Sequence, residues 1–349
     1  MERIPESSAG IVDAEEMTNI RLDSLEGFVR ITLDNGVIRL ALLPEIGGKI
    51  VSLVRLDSGR EYLISLEGTQ RSFLAPAHGG IFVDYNNVGF DDCIPTIAAC
   101  QYPADGYRGR ELPDHGDVWS LPWQYDVSGE ELWLSVEGRS LPFALRKRLR
   151  LEGCQLVIDY ELQNKGHAAF DYLWSAHPLL NTEPGARILL PPEVRELLID
   201  SSNGNRLGQK GDSCGWPIAT ARNGKPDDLR VMKPRGRQSD KLYTARLEQG
   251  YCGLYYPSSK ESILFHFDPG LVPYVGMWIC HGAGAADDPK QPYTVALEPC
   301  MGRPDDLAEA MARKESDLLP LQERKRWTLR VELREGVPMN SELDTEIVS

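Results

Sequence analysis

The chain has 349 residues, 42% of them hydrophobic, enough for a large core in one or two domains. Its 38 basic and 52 acidic side chains leave a net charge of −14. Such a surface repels nucleic acid and anionic membranes and argues against both as partners, while suiting an enzyme that acts on a neutral solute. One local basic pocket could still accept a phosphorylated substrate. The seven cysteines are scattered and odd in number, with neither a disulfide framework nor a Cys-x-x-Cys pattern, and read as free thiols in a reducing compartment. The opening residues lack the basic-then-apolar order of a signal peptide, and no apolar run reaches transmembrane length, so a cytoplasmic protein is expected.

Residues 1–26 are polar and without period, and read as a lead-in. A hairpin is expected over 29–43. Val29, Ile31 and Leu33 alternate, Asp34-Asn35-Gly36 turns the chain, and Val37, Ile38, Leu40 and Leu42 return. Pro44-Glu45-Ile46-Gly47-Gly48 leads into a strand over 49–56. Residues 72–118 are rich in Gly, Asp, Asn and Pro and hold no period. They read as long loops with short strands between them, either a functional wall or a surface insertion.

The next section is regular. Leu132, Leu134 and Val136 alternate with polar residues; Phe143, Leu145, Leu149 and Leu151 oppose Arg146, Arg148 and Arg150; Leu156, Ile158, Tyr160 and Leu162 oppose Asp159 and Glu161. This is the pattern of antiparallel strands with the arginines on a solvated face. Residues 183–240 carry weak strands at best. Strands return at 241–247, 253–256, 262–268, 273–280 and 293–297. One helix is expected over 304–314, with Asp305 and Asp306 at its start and Arg313 and Lys314 at its end. Trp327, Leu329, Val331 and Leu333 form a closing strand, and 336–349 a polar tail. No repeat or linker divides the chain. Residues 27–335 are therefore expected to form one all-β domain of two packed antiparallel sheets with few short helices.

Chemistry concentrates in Leu112-Pro113-Asp114-His115-Gly116-Asp117-Val118-Trp119. His115 can exchange a proton near neutral pH. Asp117 can fix its tautomer or bind hydroxyls, and Trp119 offers an apolar face to a sugar ring. The same composition also makes an ordinary polar turn. His177 ends an apolar strand and is held extended by Pro178; a lone histidine there is equally a hydrogen-bonded core residue. Glu298 lies in Val295-Ala296-Leu297-Glu298-Pro299. A carboxylate in so apolar a strand marks either a structural ion pair or a general base whose pKa burial has raised. Cofactor signatures are weak. Gly282-Ala283-Gly284 lacks the third glycine of a dinucleotide loop, and Asp287-Asp288-Pro289 blocks the helix that should follow. There is no Walker loop and no Gly-x-Ser-x-Gly elbow, and Cys280, His281 and Cys300 lack zinc-motif spacing.

Together the segments resemble the galactose mutarotase-like superfamily of aldose epimerases. The similar residues are Leu43-Pro44-Glu45-Ile46-Gly47-Gly48-Lys49-Ile50, Asp114-His115-Gly116-Asp117-Val118-Trp119, His177-Pro178, and Leu297-Glu298-Pro299-Cys300 with Gly302 and Pro304-Asp305. Their order and spacing match over residues 27–335. The resemblance implies a β-supersandwich that binds a monosaccharide on one sheet face, and a mutarotase without metal or cofactor. It implies Glu298 as general base on the anomeric hydroxyl, His177 as general acid on the ring oxygen, and His115 as a hydrogen-bonding stabiliser. In the best-known branch an arginine and an asparagine-histidine loop precede the first histidine. Here Asn86-Asn87 and Gly89-Phe90-Asp91-Asp92-Cys93-Ile94-Pro95-Thr96 occupy that region, resembling a less characterised bacterial branch. The stretch 79–96 is accordingly expected to form one wall of the sugar site, with Asn86, Asp91 and Asp92 as substrate-binding candidates. Trp278 is a second stacking candidate, and Asp268 a candidate for the family's substrate-binding aspartate. Two alternatives stand beside the epimerase: a sugar-binding module without turnover, and a hydrolase or lyase using Asp91 or Asp92 as an additional carboxylate.

Overall fold

Two large antiparallel sheets dominate the computed structural model, which describes residues 17–66, 71–85, 87–282 and 292–337. The larger is twelve-stranded among the described residues. It runs Asn19–Leu25, Phe28–Asp34, Ile38–Leu43, Lys49–Arg55, Phe90–Cys93, Ser175–Asn181, Tyr293–Cys300, Tyr274–His281, Ser239–Thr244, Glu196–Ser202 and Ser213–Gly215, with Arg60–Glu61 on the flank of Lys49–Arg55. The eight-stranded sheet runs Arg187–Leu189, Tyr251–Tyr256, Glu261–His266, Arg324–Glu335, Gln155–Asn164, Phe143–Glu152, Glu131–Glu137 and Gln124–Ser128. The expected all-β sandwich is present. Successive strand residues point to opposite faces, so Ile31, Leu33, Leu40, Met277, Val295 and Leu297 of one sheet meet Leu145, Leu149, Leu156, Ile158, Leu329 and Val331 of the other in a single core.

Three expectations need correction. Residues 1–26 are not lead-in throughout: Asn19–Leu25 is an edge strand paired with Phe28–Asp34. Most of its side chains are exposed on both faces, so no apolar alternation marks it. The helix is shorter than expected, Leu307–Arg313. Asp306 caps it by accepting from Glu309 N at 3.0 Å, and the carbonyl of Asp305 is drawn away to the backbone amides of Ile97 and Ala98. Finally, Phe90–Cys93 is no loop wall but a buried strand in the middle of the larger sheet.

That strand settles the fate of its two carboxylates. Asp92 pairs in register with Ala176, a core residue, and turns inward between the sheets. It meets Lys147 Nζ at 2.9 Å and accepts from Trp174 Nε1 at 3.1 Å. Lys147 comes from the eight-stranded sheet, in phase with Leu145 and Leu149, and also donates to the Gly48 carbonyl at 3.1 Å over the Trp123 ring. Asp92 is therefore half of an ion pair that crosses the core, not a substrate ligand. Removing one partner of such a pair strands a buried charge, costing about 3–5 kcal/mol, whereas removing both costs far less. Lys147→Met should lower the unfolding free energy by about that range in urea titrations. The double variant Lys147→Met/Asp92→Asn, which keeps an acceptor for Trp174, should recover most of it. Equal losses in single and double variants would show that the pair does not act as a unit.

Candidate active site

The other face of the same sheet, turned away from the core, holds a line of polar side chains. Asp91 pairs with His177, Glu298 with Gly276, and Gly276 with Tyr243. His177 and Glu298 stand on adjacent strands with Nε2 3.9 Å from Oε1. The line therefore reads Asp91, His177, Glu298, Gly276, Tyr243 across five neighbouring strands. A lysine attends each carboxylate. Lys49 binds Asp91 Oδ2 and donates to the Val88 carbonyl at 2.9 Å. Lys241 binds Glu298 Oε2 and lies 3.4 Å from Asp305, to which Tyr243 donates its hydroxyl. Gly276 leaves room for this contact. A Cβ there would lie 2.9 Å from the Tyr243 ring and 3.1 Å from Glu298 Oε2.

His115 reaches the line from a loop. Its own φ of 57° is left-handed, a strained conformation for a bulky residue. The next residue, Gly116, sits so close to Ile94 that a Cβ would be 2.0 Å from its carbonyl oxygen. The loop is pinned by His115 N to Ile97 O and Asp117 N to Ile94 O. Phe82 stacks on the imidazole at 4.2 Å, and the His115 and His177 rings meet edge to face at 5.1 Å. Asp114 orients His115 through Nδ1 at 3.0 Å and accepts from Phe82 N with its other oxygen.

Burial governs the charges. Glu298 is fully buried; this raises its pKa above the usual carboxylate range, and Lys241 pulls it back. Asp91 behaves alike, raised by burial and opposed by Lys49. Burial opposes the charge on Lys241 too, but Asp305 and Glu298 outweigh it and keep the ammonium protonated. His177 is pushed well below the ordinary histidine value, by burial and then by His115, Lys241 and Lys49. Its ring is neutral at neutral pH. Asp91 Oδ1, His177 Nδ1 and Glu298 Oε1 are buried without a hydrogen-bond partner among the described residues. Orphaned polar atoms of this kind are uncommon and ask for a ligand or water.

The expected site residues divide accordingly. Glu298, His177, His115 and Asp91 converge. Trp278 flanks them, half-buried, on the sheet face shared with Lys241, and its indole N–H donates to Ser239 Oγ at 2.9 Å. Trp119 is 2% exposed, donates to the Asp114 carbonyl and packs against Phe82. It supports the histidine loop and offers no open face to a sugar. Asp117 is also internal: its two oxygens are taken by His78 Nε2, the amides of Arg139 and Ser140, and Ser140 Oγ. Asp268 lies exposed in a turn after the Glu261–His266 strand of the other sheet, bonded to Gly270 N, and takes no part. Asn86 lies outside the described residues. Cys280 and Cys300 sit at opposite ends of the same strand pair, so the zinc grouping does not assemble. Lys49, Lys241, Tyr243, Gly276 and Asp305 were not singled out for the site from sequence. Lys49 was legible as a lysine inside an apolar strand; the others depend on cross-strand register.

No protein-family model matches the chain, and no curated protein sequence does. Solved structures do. A galactose mutarotase-related enzyme from Lactobacillus acidophilus is 14% identical with a TM-score of 0.60, covering 88% of this chain and 97% of its own. A galactose mutarotase-like protein from Lactobacillus casei is 17% identical with a TM-score of 0.57, over 87% and 100%. A candidate aldose 1-epimerase from Escherichia coli is 17% identical with a TM-score of 0.62, over 91% and 99%. The chain has the galactose mutarotase-like fold over nearly its whole described length.

The depressed His177 pKa gives a direct expectation. In long-range proton–nitrogen spectra at about pH 6, below the ordinary histidine midpoint of ~6.5, the His177 ring should remain neutral. An imidazolium signature at that pH would reverse the assignment.

Proposed function

We propose that this protein exchanges the anomers of a free, unphosphorylated monosaccharide. The observation that carries the reading is the convergence of Glu298, His177 and His115 around three buried polar atoms that lack a hydrogen-bond partner among the described residues. A sugar's hydroxyls supply both donors and acceptors to such a set. Glu298 Oε1 takes the proton of the anomeric hydroxyl as the bond from the anomeric carbon to the ring oxygen breaks. The ring oxygen takes a proton from an imidazole, the aldehyde rotates, and closure from the other face returns both protons. Phe82 and His115, from the loops beside this face, pack over His177.

We assign the acid to His115 and not to His177, exchanging the roles the resemblance implies. Charging His177 is disfavoured by burial and by the cations around it. His115 is partly exposed, and Asp114 bonded to Nδ1 orients the ring and leaves the other nitrogen for substrate. Neutral His177 then hydrogen-bonds the sugar. The substrate is uncharged because the lysines of the site are engaged: Lys49 with Asp91, Lys241 with Glu298 and Asp305. A phosphoryl group would have to displace a buried carboxylate. Asp91, facing the site, keeps a two-carboxylate hydrolase as the second reading; Asp92, inside the core, is not available to it. All seven cysteines are free, which fits a reducing, cytoplasmic location.

The test is polarimetry and exchange NMR over a panel of free aldoses, their phosphates and simple glycosides. Anomer exchange of a neutral aldose supports the reading. Exchange confined to phosphates, or glycoside cleavage without exchange, overturns it. In the active case Glu298→Gln should slow turnover by about a hundred- to ten-thousand-fold while sugar binding survives. His115→Asn should cost as much as, or more than, His177→Asn. Asp305 stays beside Lys241, so Glu298→Gln should unfold less readily than a variant that leaves a buried ammonium without any counter-charge.

A further inference from the structure

We propose that Lys241 is the positioning residue of the proposed proton transfer, clamping Oε2 of Glu298 so that the free Oε1 stands toward His177 as an ionised acceptor. This rests on the reading of Glu298 as base but adds a residue to it. Three observations carry it. Lys241 and Glu298 do not sit on neighbouring strands. The Tyr274–His281 strand lies between theirs, and the lysine reaches across it to Glu298, which stands opposite Gly276, where a Cβ would press on Tyr243 and on the bonded oxygen Oε2 itself. The two carboxylate oxygens are unequal: Oε2 is held by Lys241 while Oε1 has no hydrogen-bond partner among the described residues and faces His177 Nε2 at 3.9 Å. The lysine is itself anchored at a second point, Asp305, which Tyr243 fixes through its hydroxyl. The chain Glu298, Lys241, Asp305, Tyr243 holds the base in one rotamer and one charge state.

The groups facing Glu298 are few and known. They are Lys241 and Tyr243 on the Ser239–Thr244 strand, His177 on the strand next to that of Glu298, His115 and Asp305 from loops, and the thiols of Cys93 and Cys300. Asp200, raised to about 6 by burial and then by Asp305, faces Lys241 from the next strand with Lys210 beside it. Among these, Lys241 is the cation in direct contact with the carboxylate. Removing it takes away the largest influence that opposes burial at Glu298, so the carboxyl should take up its proton at higher pH. Removing the charge of Asp305 should act in the opposite direction, because Asp305 raises Glu298.

The experiment is a carbon NMR titration of the Glu298 carboxyl in glutamate-labelled protein without sugar, with the signal assigned by its loss in Glu298→Gln. Lys241→Met should move the midpoint up by about 1–3 pH units, and Lys241→Arg should bring it back toward the wild-type value. Asp305→Asn should move it down, and it serves as the deciding variant if Lys241→Met does not fold. A midpoint unmoved in either variant that folds overturns the proposal. Because the titration reads the resting protein, it is separate from catalysis. If the wild-type protein exchanges no anomers, the function fails while the clamp stands or falls on its own data. In the active case the acidic limb of the rate profile should follow the midpoint in each variant, a shift that loss of packing alone does not produce.

Discussion

A β-strand turns successive side chains to opposite faces, and at Asp91-Asp92 this protein puts a carboxylate on each face of one central strand. Both are buried, and each is bearable only because a lysine arrives to meet it: Lys147 from the opposing sheet on the core side, Lys49 from the adjoining strand on the site side. The rest of the architecture answers to this arrangement. The core-side pair ties the two sheets together beneath the site. The site-side pair begins the line that continues through His177 and Glu298 to a third lysine. Chemistry and fold meet on a single strand, one residue apart.

The site is consequently built on sheet and not on loops. Asp91, His177, Glu298, Lys241 and Tyr243 all project from hydrogen-bonded strands, whose mutual spacing the ladder fixes. His115, the proposed acid, comes instead from a loop, is itself left-handed, and is packed under Phe82, which Trp119 braces. This division suits a reaction in which the base must be rigid and the acid must meet substrate. Hollows of about 680 Å³ beside Arg206, Arg222 and Asp227, about 630 Å³ beside Arg148, Asp159 and His266, and about 600 Å³ beside Arg21, Arg30 and Phe73 contain none of these groups. Charge and unsatisfied polarity locate the site better than volume does.

The sequence carried the fold through its alternations. The runs through Leu132, Leu145 and Leu156 gave neighbouring strands because each keeps one apolar phase throughout. It carried Glu298 and His177 because a charged group in an apolar strand is conspicuous. It did not carry which of Asp91 and Asp92 faces the candidate site, since a four-residue buried strand has no polar phase from which to count. Lys147 sat in the apolar phase between Leu145 and Leu149, a signal present in the letters but hidden among its arginine neighbours. Lys241, Gly276 and Tyr243 were beyond reach for a different reason. Their meaning lies in the register of strands far apart in the chain, and no local period encodes that. Asp117 and Trp119 misled because a polar loop built to hold a histidine has the same composition as one built to hold a sugar.

An open sandwich also has borders. Among the described residues the larger sheet ends at Asn19–Leu25 on one side and at the three-residue Ser213–Gly215 on the other, and the smaller at Arg187–Leu189 and Gln124–Ser128. Short borders offer little to a second molecule, and the long one at Asn19–Leu25 carries Arg21 and Asp23, the latter locked to Arg30 of its neighbour. Gln124–Ser128 is the remaining long border, and Tyr125 and Val127 lie open on it around Asp126. On this border a single aspartate stands between an exposed aromatic and an exposed β-branched side chain, the kind of charge that keeps an open strand edge from pairing with another strand.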